Sequence, residues 1–153
     1  MTTISIDPGA NGAIAIFDAQ GALQRVIDLP TVKVASKTRI APQALALLVA
    51  AQRPSQAYVE QVASRPGQGV TSMFTFGHNA GAIDGVLAAL GVPVSYITPQ
   101  VWKRTAQVTA DKGSSRRRAM QLFPGHAADF QRVKDDGRAE AALIGWCALQ
   151  RRQ

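Results

Sequence analysis

Apolar positions in this chain come in short runs toward the N-terminus and in longer, helically spaced stretches toward the C-terminus. Ile4-Ser5-Ile6 reads as a short buried strand, and Asp7-Pro8-Gly9-Ala10-Asn11-Gly12 is a dense turn signal. Residues 13–17 resume as a second strand, which predicts a hairpin. Asp18-Ala19-Gln20-Gly21 is another turn, and residues 22–29 form a third strand. Residues 30–40, with Lys33, Lys37 and Arg39, are polar and basic and read as a mobile loop. Pro42 opens a helix to about Gln52 with Leu45, Leu48 and Val49 on its apolar face. Residues 56–60 are the fourth strand, and residues 64–69, with two glycines and a proline, are a loop.

A long helix is expected from about Thr71 to Leu90, with Phe74, Ile83, Val86, Leu87 and Leu90 as its apolar positions. Gly77, Gly81 and Gly85 repeat along it at four-residue spacing. Each glycine costs a helix about 1 kcal/mol, so such a stripe suggests close approach by another backbone, from a partner or from the same subunit's sheet. Residues 92–97 are the fifth strand. Short helices follow at about 99–105 and 115–123, and a last helix at 135–150. The element order predicts a mixed five-stranded α/β fold, an antiparallel three-strand portion extended by parallel strands through helical crossovers and flanked by helices.

Length changes the picture little: 153 residues with 46% hydrophobic content suit one domain spanning 1–153. Charge changes it more. Seventeen Lys and Arg against ten Asp and Glu give a formal +7, which points to a polyanionic partner, nucleic acid before membrane. No apolar run approaches the ~20 residues needed to span a bilayer, and the cytoplasm is the expected compartment. Cys147 is the single cysteine, which excludes an internal disulfide and a cysteine-based zinc site; its apolar helical setting reads as core. Trp102 and Trp146 also read as core, and His78 and His126 have surface or capping roles.

In a chain poor in carboxylates, four occupy informative places. Asp7 ends the first apolar run and Glu60 ends Ala57-Tyr58-Val59-Glu60. Asp136 and Glu140 stand one helical turn apart, on one face, whereas Asp135 points away. Gathered at one point, such acids repel one another unless a cation compensates, so a divalent metal is expected.

The chain resembles the RuvC-type Holliday-junction resolvases of the ribonuclease H-like superfamily. The segments that carry the resemblance are Ile4-Ser5-Ile6-Asp7-Pro8-Gly9-Ala10-Asn11-Gly12, Tyr58-Val59-Glu60-Gln61-Val62, Phe76-Gly77-His78-Asn79-Ala80-Gly81, Pro99-Gln100-Val101-Trp102-Lys103 and Lys134-Asp135-Asp136-Gly137-Arg138-Ala139-Glu140-Ala141. They follow family order across nearly the whole chain. The resemblance implies that Asp7, Glu60, Asp136 and Glu140 are the catalytic, metal-ligating acids. Many members have Asp in place of Glu140 and another acid three residues earlier, where this chain has Gly137. The four-residue spacing looks more like the phage-encoded branch of the family.

The chemistry implied is phosphodiester hydrolysis assisted by two Mg2+ ions ~3.5–4 Å apart, with Mn2+ able to substitute. Lys103 and Lys112 resemble the family's basic residues near the scissile phosphate; read alone, each is an ordinary surface lysine. Arg116 and Arg117, after Gly113-Ser114-Ser115, form with the helix-start amides a candidate phosphate-binding segment. Phe76 or Phe74 is placed to stack on an unpaired base at a junction centre, or else to pack in the core. The partner implied is branched DNA, four-way junctions above all. Paired symmetric nicks from one site per chain imply a homodimer, with the glycine stripe as a candidate seam. The same acids suit a nuclease acting on forks, flaps or RNA–DNA hybrids. A non-catalytic binding module of the same fold is the rival from another class.

Overall fold

The structure, a computed structural model, describes residues 1–151. Its centre is a five-stranded sheet in the order β3-β2-β1-β6-β7, built from β1 (Thr2–Asp7), β2 (Ala13–Phe17), β3 (Leu23–Asp28), β6 (Pro54–Glu60) and β7 (Val94–Ile97). β1 pairs antiparallel with β2, and β2 with β3, while β6 and β7 join in parallel. The expected mixed topology is therefore present.

Alternation along the strands divides the interior into two apolar layers. Ile4, Ile6, Ala57 and Val59 point to the side covered by α1 (Pro42–Gln52) and α2 (Val70–Ala89), where Leu45, Val49, Ile83 and Leu87 meet them. Ala13, Ala15, Phe17 and Tyr58 point to the other side, under α3 (Pro99–Ala106), α4 (Ser114–Leu122) and α5 (Asp136–Gln150). α5 lies directly on β1 and β2. Gly145 is what lets it sit so close, because a Cβ there would overlap the Phe17 ring. The Ser5 hydroxyl donates to the Ala141 carbonyl at 2.6 Å, a buried polar link from sheet to helix. Arg138 fixes the helix rotation by donating from Nε and Nη2 to the two Asp28 oxygens at 2.6 and 3.0 Å.

Two expectations are corrected. Residues 30–40 are a hairpin, β4 (Thr31–Val34) paired antiparallel with β5 (Lys37–Ile40), because a Val-Lys-Val alternation precedes a turn with Ala35 in the left-handed region. Phe74 and Leu90 do not join the buried face of α2; Phe74 is 65% exposed, since the phase that buries Ile83, Val86 and Leu87 turns it to solvent. After α4 (Ser114–Leu122) the chain forms a 3-10 stretch from Pro124 to Phe130, which buries that last ring against Phe123. Cys147 is buried in the α5 layer, as its pattern implies.

Candidate active site

Because β1 and β6 run parallel as neighbours, their C-terminal ends lie side by side, and each ends on an acid. Open α/β sheets present their reactive groups at this edge. Asp7 is further fixed by the turn behind it: a Cβ on Gly12 would overlap the Asp7 carbonyl, so only glycine closes the β1–β2 hairpin there. α5 crosses the same edge and brings Glu140 in from the other layer.

The three carboxylates interact. Burial pushes the Asp7 carboxyl well above the usual carboxylate range, and repulsion from Glu140 and then Glu60 pushes it further. Glu60 and Glu140 are raised as well, again chiefly by burial. Lys103 is the cation that opposes the rise at all three. Its ammonium stands 5.3 Å above the Trp102 ring at the start of the cleft.

Two neighbours tune the glutamates. The indole Nε1 of the fully buried Trp102 donates to Glu60 Oε2 at 2.6 Å, leaving the other oxygen free. The Ser115 side chain beside Glu140 favours its charged form. Neither was legible in the sequence, since Trp102 lies 42 positions from Glu60 and reads only as core. Trp102→Phe keeps the packing and deletes the bond. It should leave the fold intact and reduce turnover of any reaction that uses Glu60, since a bond to a charged group contributes about 1.5–3 kcal/mol. Unchanged rates in a folded Trp102→Phe protein would show that the indole is only filler.

Asp136 lines a cleft with Glu140 and raises that carboxyl further, but is itself paired with an arginine. Arg116 Nε donates to Asp136 Oδ1 at 2.8 Å and its Nη1 donates to the Gln131 carbonyl at 3.1 Å. The arginine is the less exposed partner, 18% against 53%. Asp135 does point away: burial opposes its charge, yet the Arg132 side chain and backbone N–H hold it below the usual range. At position 137 a Cβ would overlap the Asn11 carbonyl, so the turn after Asp7 forbids any side chain where the helix would otherwise carry its first acid.

The basic segment separates under inspection. Lys103 and Lys112 line one cleft with Thr109, Ser115, Asp136 and Glu140. Arg116 is committed to Asp136, Arg118 donates to the Ala106 carbonyl at 2.7 Å, and Arg117, the one exposed arginine of the three, donates to the Lys112 carbonyl at 3.2 Å. Phe76 is half-buried and lines a second cleft with Glu60, Gln61, Arg65 and Gln68. His126, inside the 3-10 stretch, ties it to β3, with its ring nitrogens 3.2 Å from Asp129 and 2.9 Å from the Leu23 carbonyl.

The donor set is all carboxylate oxygen, raised in pKa chiefly by burial and, at Asp7 and Glu140, also by the neighbouring acids, which fits a hard divalent cation that keeps part of its water shell. Among the described residues, no three acidic, histidine or cysteine side chains stand close enough to hold a metal ion as they are. A phosphate or water would have to complete the shell. No helix among the described residues is long and apolar enough to cross a membrane.

Sheet order, strand-end acids and the helix crossing them define a ribonuclease H-like fold. Within it, the chain is similar to solved RuvC structures. The Thermus thermophilus RuvC complex with a Holliday junction substrate matches with a TM-score of 0.67 at 16% identity, over 99% of this chain and 95% of that one. Thermus thermophilus RuvC alone gives 0.63 at 18%, over 99% and 96%. The yeast mitochondrial Holliday junction resolvase Ydc2 gives 0.57 at 13%, over 98% and 82%. No family model and no curated protein matches the chain.

Proposed function

We propose that the protein is a metal-dependent, structure-selective DNA endonuclease that resolves four-way junctions. The observation that carries this is that the charges of Asp7, Glu60 and Glu140 bear on one another, with Lys103 opposing, at the C-terminal sheet edge of this fold. The similarity to structures of junction resolvases, one of them bound to its substrate, supports the choice of DNA.

Asp7, Glu60 and Glu140 would hold Mg2+, with Asp136 as a fourth ligand. A bound divalent ion stabilises charge on the attacking and leaving oxygens of the phosphodiester. The protein supplies the rest. Trp102 orients Glu60, Ser115 orients Glu140, and Lys103 and Lys112 face the scissile phosphate from the cleft they share with those acids. Asp136 reaches the site only by leaving Arg116, and an arriving phosphate is the natural exchange partner for that guanidinium. Arg117 positions the substrate backbone without reading sequence. Phe76, beside Glu60, offers a ring for an unpaired base.

The deciding experiment incubates the protein with labelled four-way junction, fork, flap, RNA–DNA hybrid and linear duplex, with Mg2+, Mn2+, Ca2+ or chelator. Paired symmetric cuts in the junction with Mg2+ or Mn2+, binding without cutting in Ca2+, and no cutting in chelator are expected. Preferred cutting of fork, flap or hybrid reassigns the substrate. Binding without cutting under every metal leaves a non-catalytic module.

Paired cuts call for a homodimer, and the α2 stripe is the proposed seam. Gly77, Gly81 and Gly85 are all exposed, and a Cβ on any of them meets nothing within 4 Å in the subunit itself. Gly81→Leu should therefore fold normally and sediment as a monomer. A dimer that survives this substitution would move the seam elsewhere.

A further inference from the structure

No acidic residue occurs between Asp28 and Glu60, and three of the four basic residues of that stretch, Lys33, Lys37 and Arg39, lie on the β4–β5 ribbon. The ribbon is a two-stranded sheet of its own. Such a pair is marginal in isolation, so its root must hold it. Ile40 is buried in the α1–α2 layer, its N–H donates to the buried Asn79 Oδ1 at 3.0 Å, and the Ala41 N–H donates to the Pro30 carbonyl at 2.9 Å. Beyond that root nearly everything is exposed: Lys33, Lys37 and both valines, Val32 and Val34, at 46% each. The register sets Val32 opposite Arg39 and Val34 opposite Lys37 on one face, and Lys33 opposite Thr38 on the other. Positive charge is thus presented from both faces of a rigidly rooted arm. Arg39 Nε adds a buried donor with no acceptor.

The arm stands beside the site. Lys37 lines a groove with Ala10, Ser72, Thr75, Phe76 and Asn79. Ala10 belongs to the turn that leaves Asp7, and Phe76 also lines the cleft of Glu60. A nucleic-acid strand lying across the acids is led past Phe76 to Lys37.

We infer that the β4–β5 ribbon grips a duplex DNA arm as it leaves the catalytic cleft, with Lys33, Lys37 and Arg39 on backbone phosphates and Val32 and Val34 against the sugar edges. This rests on the nuclease reading above. Duplex is favoured over single strand because a two-stranded ribbon matches a duplex groove in width, and because the ribbon carries no aromatic ring on which bases would stack. Lysine contacts to phosphate position the arm and are indifferent to its sequence.

The test compares wild type, Lys33→Glu/Lys37→Glu and, as a control, Arg53→Glu, an exposed basic site before β6 at the opposite end of that strand from Glu60. Junctions with long and with truncated arms are titrated in Ca2+ across a salt series, and each protein's melting temperature is recorded. The ribbon variant should melt as wild type, bind the long-armed junction about tenfold more weakly and show a salt slope shallower by about 2. It should be insensitive to arm truncation, which weakens wild type. Arg53→Glu should behave as wild type. A ribbon variant that binds long arms as tightly as wild type overturns the inference while leaving the nuclease reading in place. A loss confined to single-stranded DNA overturns the duplex assignment. A wild-type protein that binds no DNA overturns both readings.

Discussion

Asp7→Asn is expected to abolish cleavage, by roughly three orders of magnitude or more, while junction binding in Ca2+ stays equal or tightens. Asp7 is the acid on which Glu60 and Glu140 both bear, and the one the sheet and the Gly12 turn fix most tightly. Removing its charge would take away the proposed metal ligand and also a negative group that would repel the phosphate. The same substitution should stabilise the metal-free protein at neutral pH. The Asp7 carboxyl is raised in the fold, so the folded state holds a proton that the unfolded state has released. The stability tied to that proton is complete below the unfolded pKa and is lost as pH rises through the folded one. Asp28 and Asp135 carry the opposite sign, being lowered, and their contribution is lost toward acid; they are common to both proteins and cancel in the comparison. The melting temperature of Asp7→Asn in chelator should therefore exceed that of wild type at neutral pH, with the gap closing as pH falls. Mg2+ should raise the wild type and barely move the variant. Cleavage by Asp7→Asn at more than about a tenth of the wild-type rate would remove it from the centre of the mechanism.

Gly137→Asp, which restores the acid spacing of many RuvC-type resolvases, should damage the protein rather than improve it. The Cβ would overlap the Asn11 carbonyl and approach Gly12 Cα at 3.0 Å, and both neighbours are backbone of the turn that positions Asp7. Overpacking of this kind costs about 1–3 kcal/mol, or roughly 3–10 °C in Tm for a domain of this size. Gly137→Ala should cost nearly as much, whereas Gly9→Ala, with nothing within 4 Å of its Cβ, should not. The double variant Asp136→Asn/Gly137→Asp should stay inactive. A folded Gly137→Asp with wild-type melting, or recovery of cleavage in the double variant, would mean that α5 is free to shift away from the turn.

Much of this was written locally. Strand-end positions for Asp7 and Glu60 follow from apolar runs that stop at an acid, and the one-turn spacing of Asp136 and Glu140 sets them on one helix face. The mixed sheet follows from hairpin turns before Pro42 and helical crossovers after it. What was misread had a local cause too. The basic stretch 30–40 carries strand alternation, but its charge and its turn residues mask it. Phe74 has the chemistry of a core residue and the wrong phase.

Short-range pattern determined most of the elements and the places of the acids on them, because backbone propensity and amphipathic period are properties of neighbours along the chain. Only the tertiary structure decided which acids interact and which is held aside. Glu60 meets Trp102, Asp136 meets Arg116, and Gly137 meets Asn11 across separations that no local period encodes. Such contacts on α5 depend on its closeness to the sheet, set by Gly145 and the Ser5 bond, and the strength of side-chain electrostatics at a few ångströms changes steeply with small rotations of a helix.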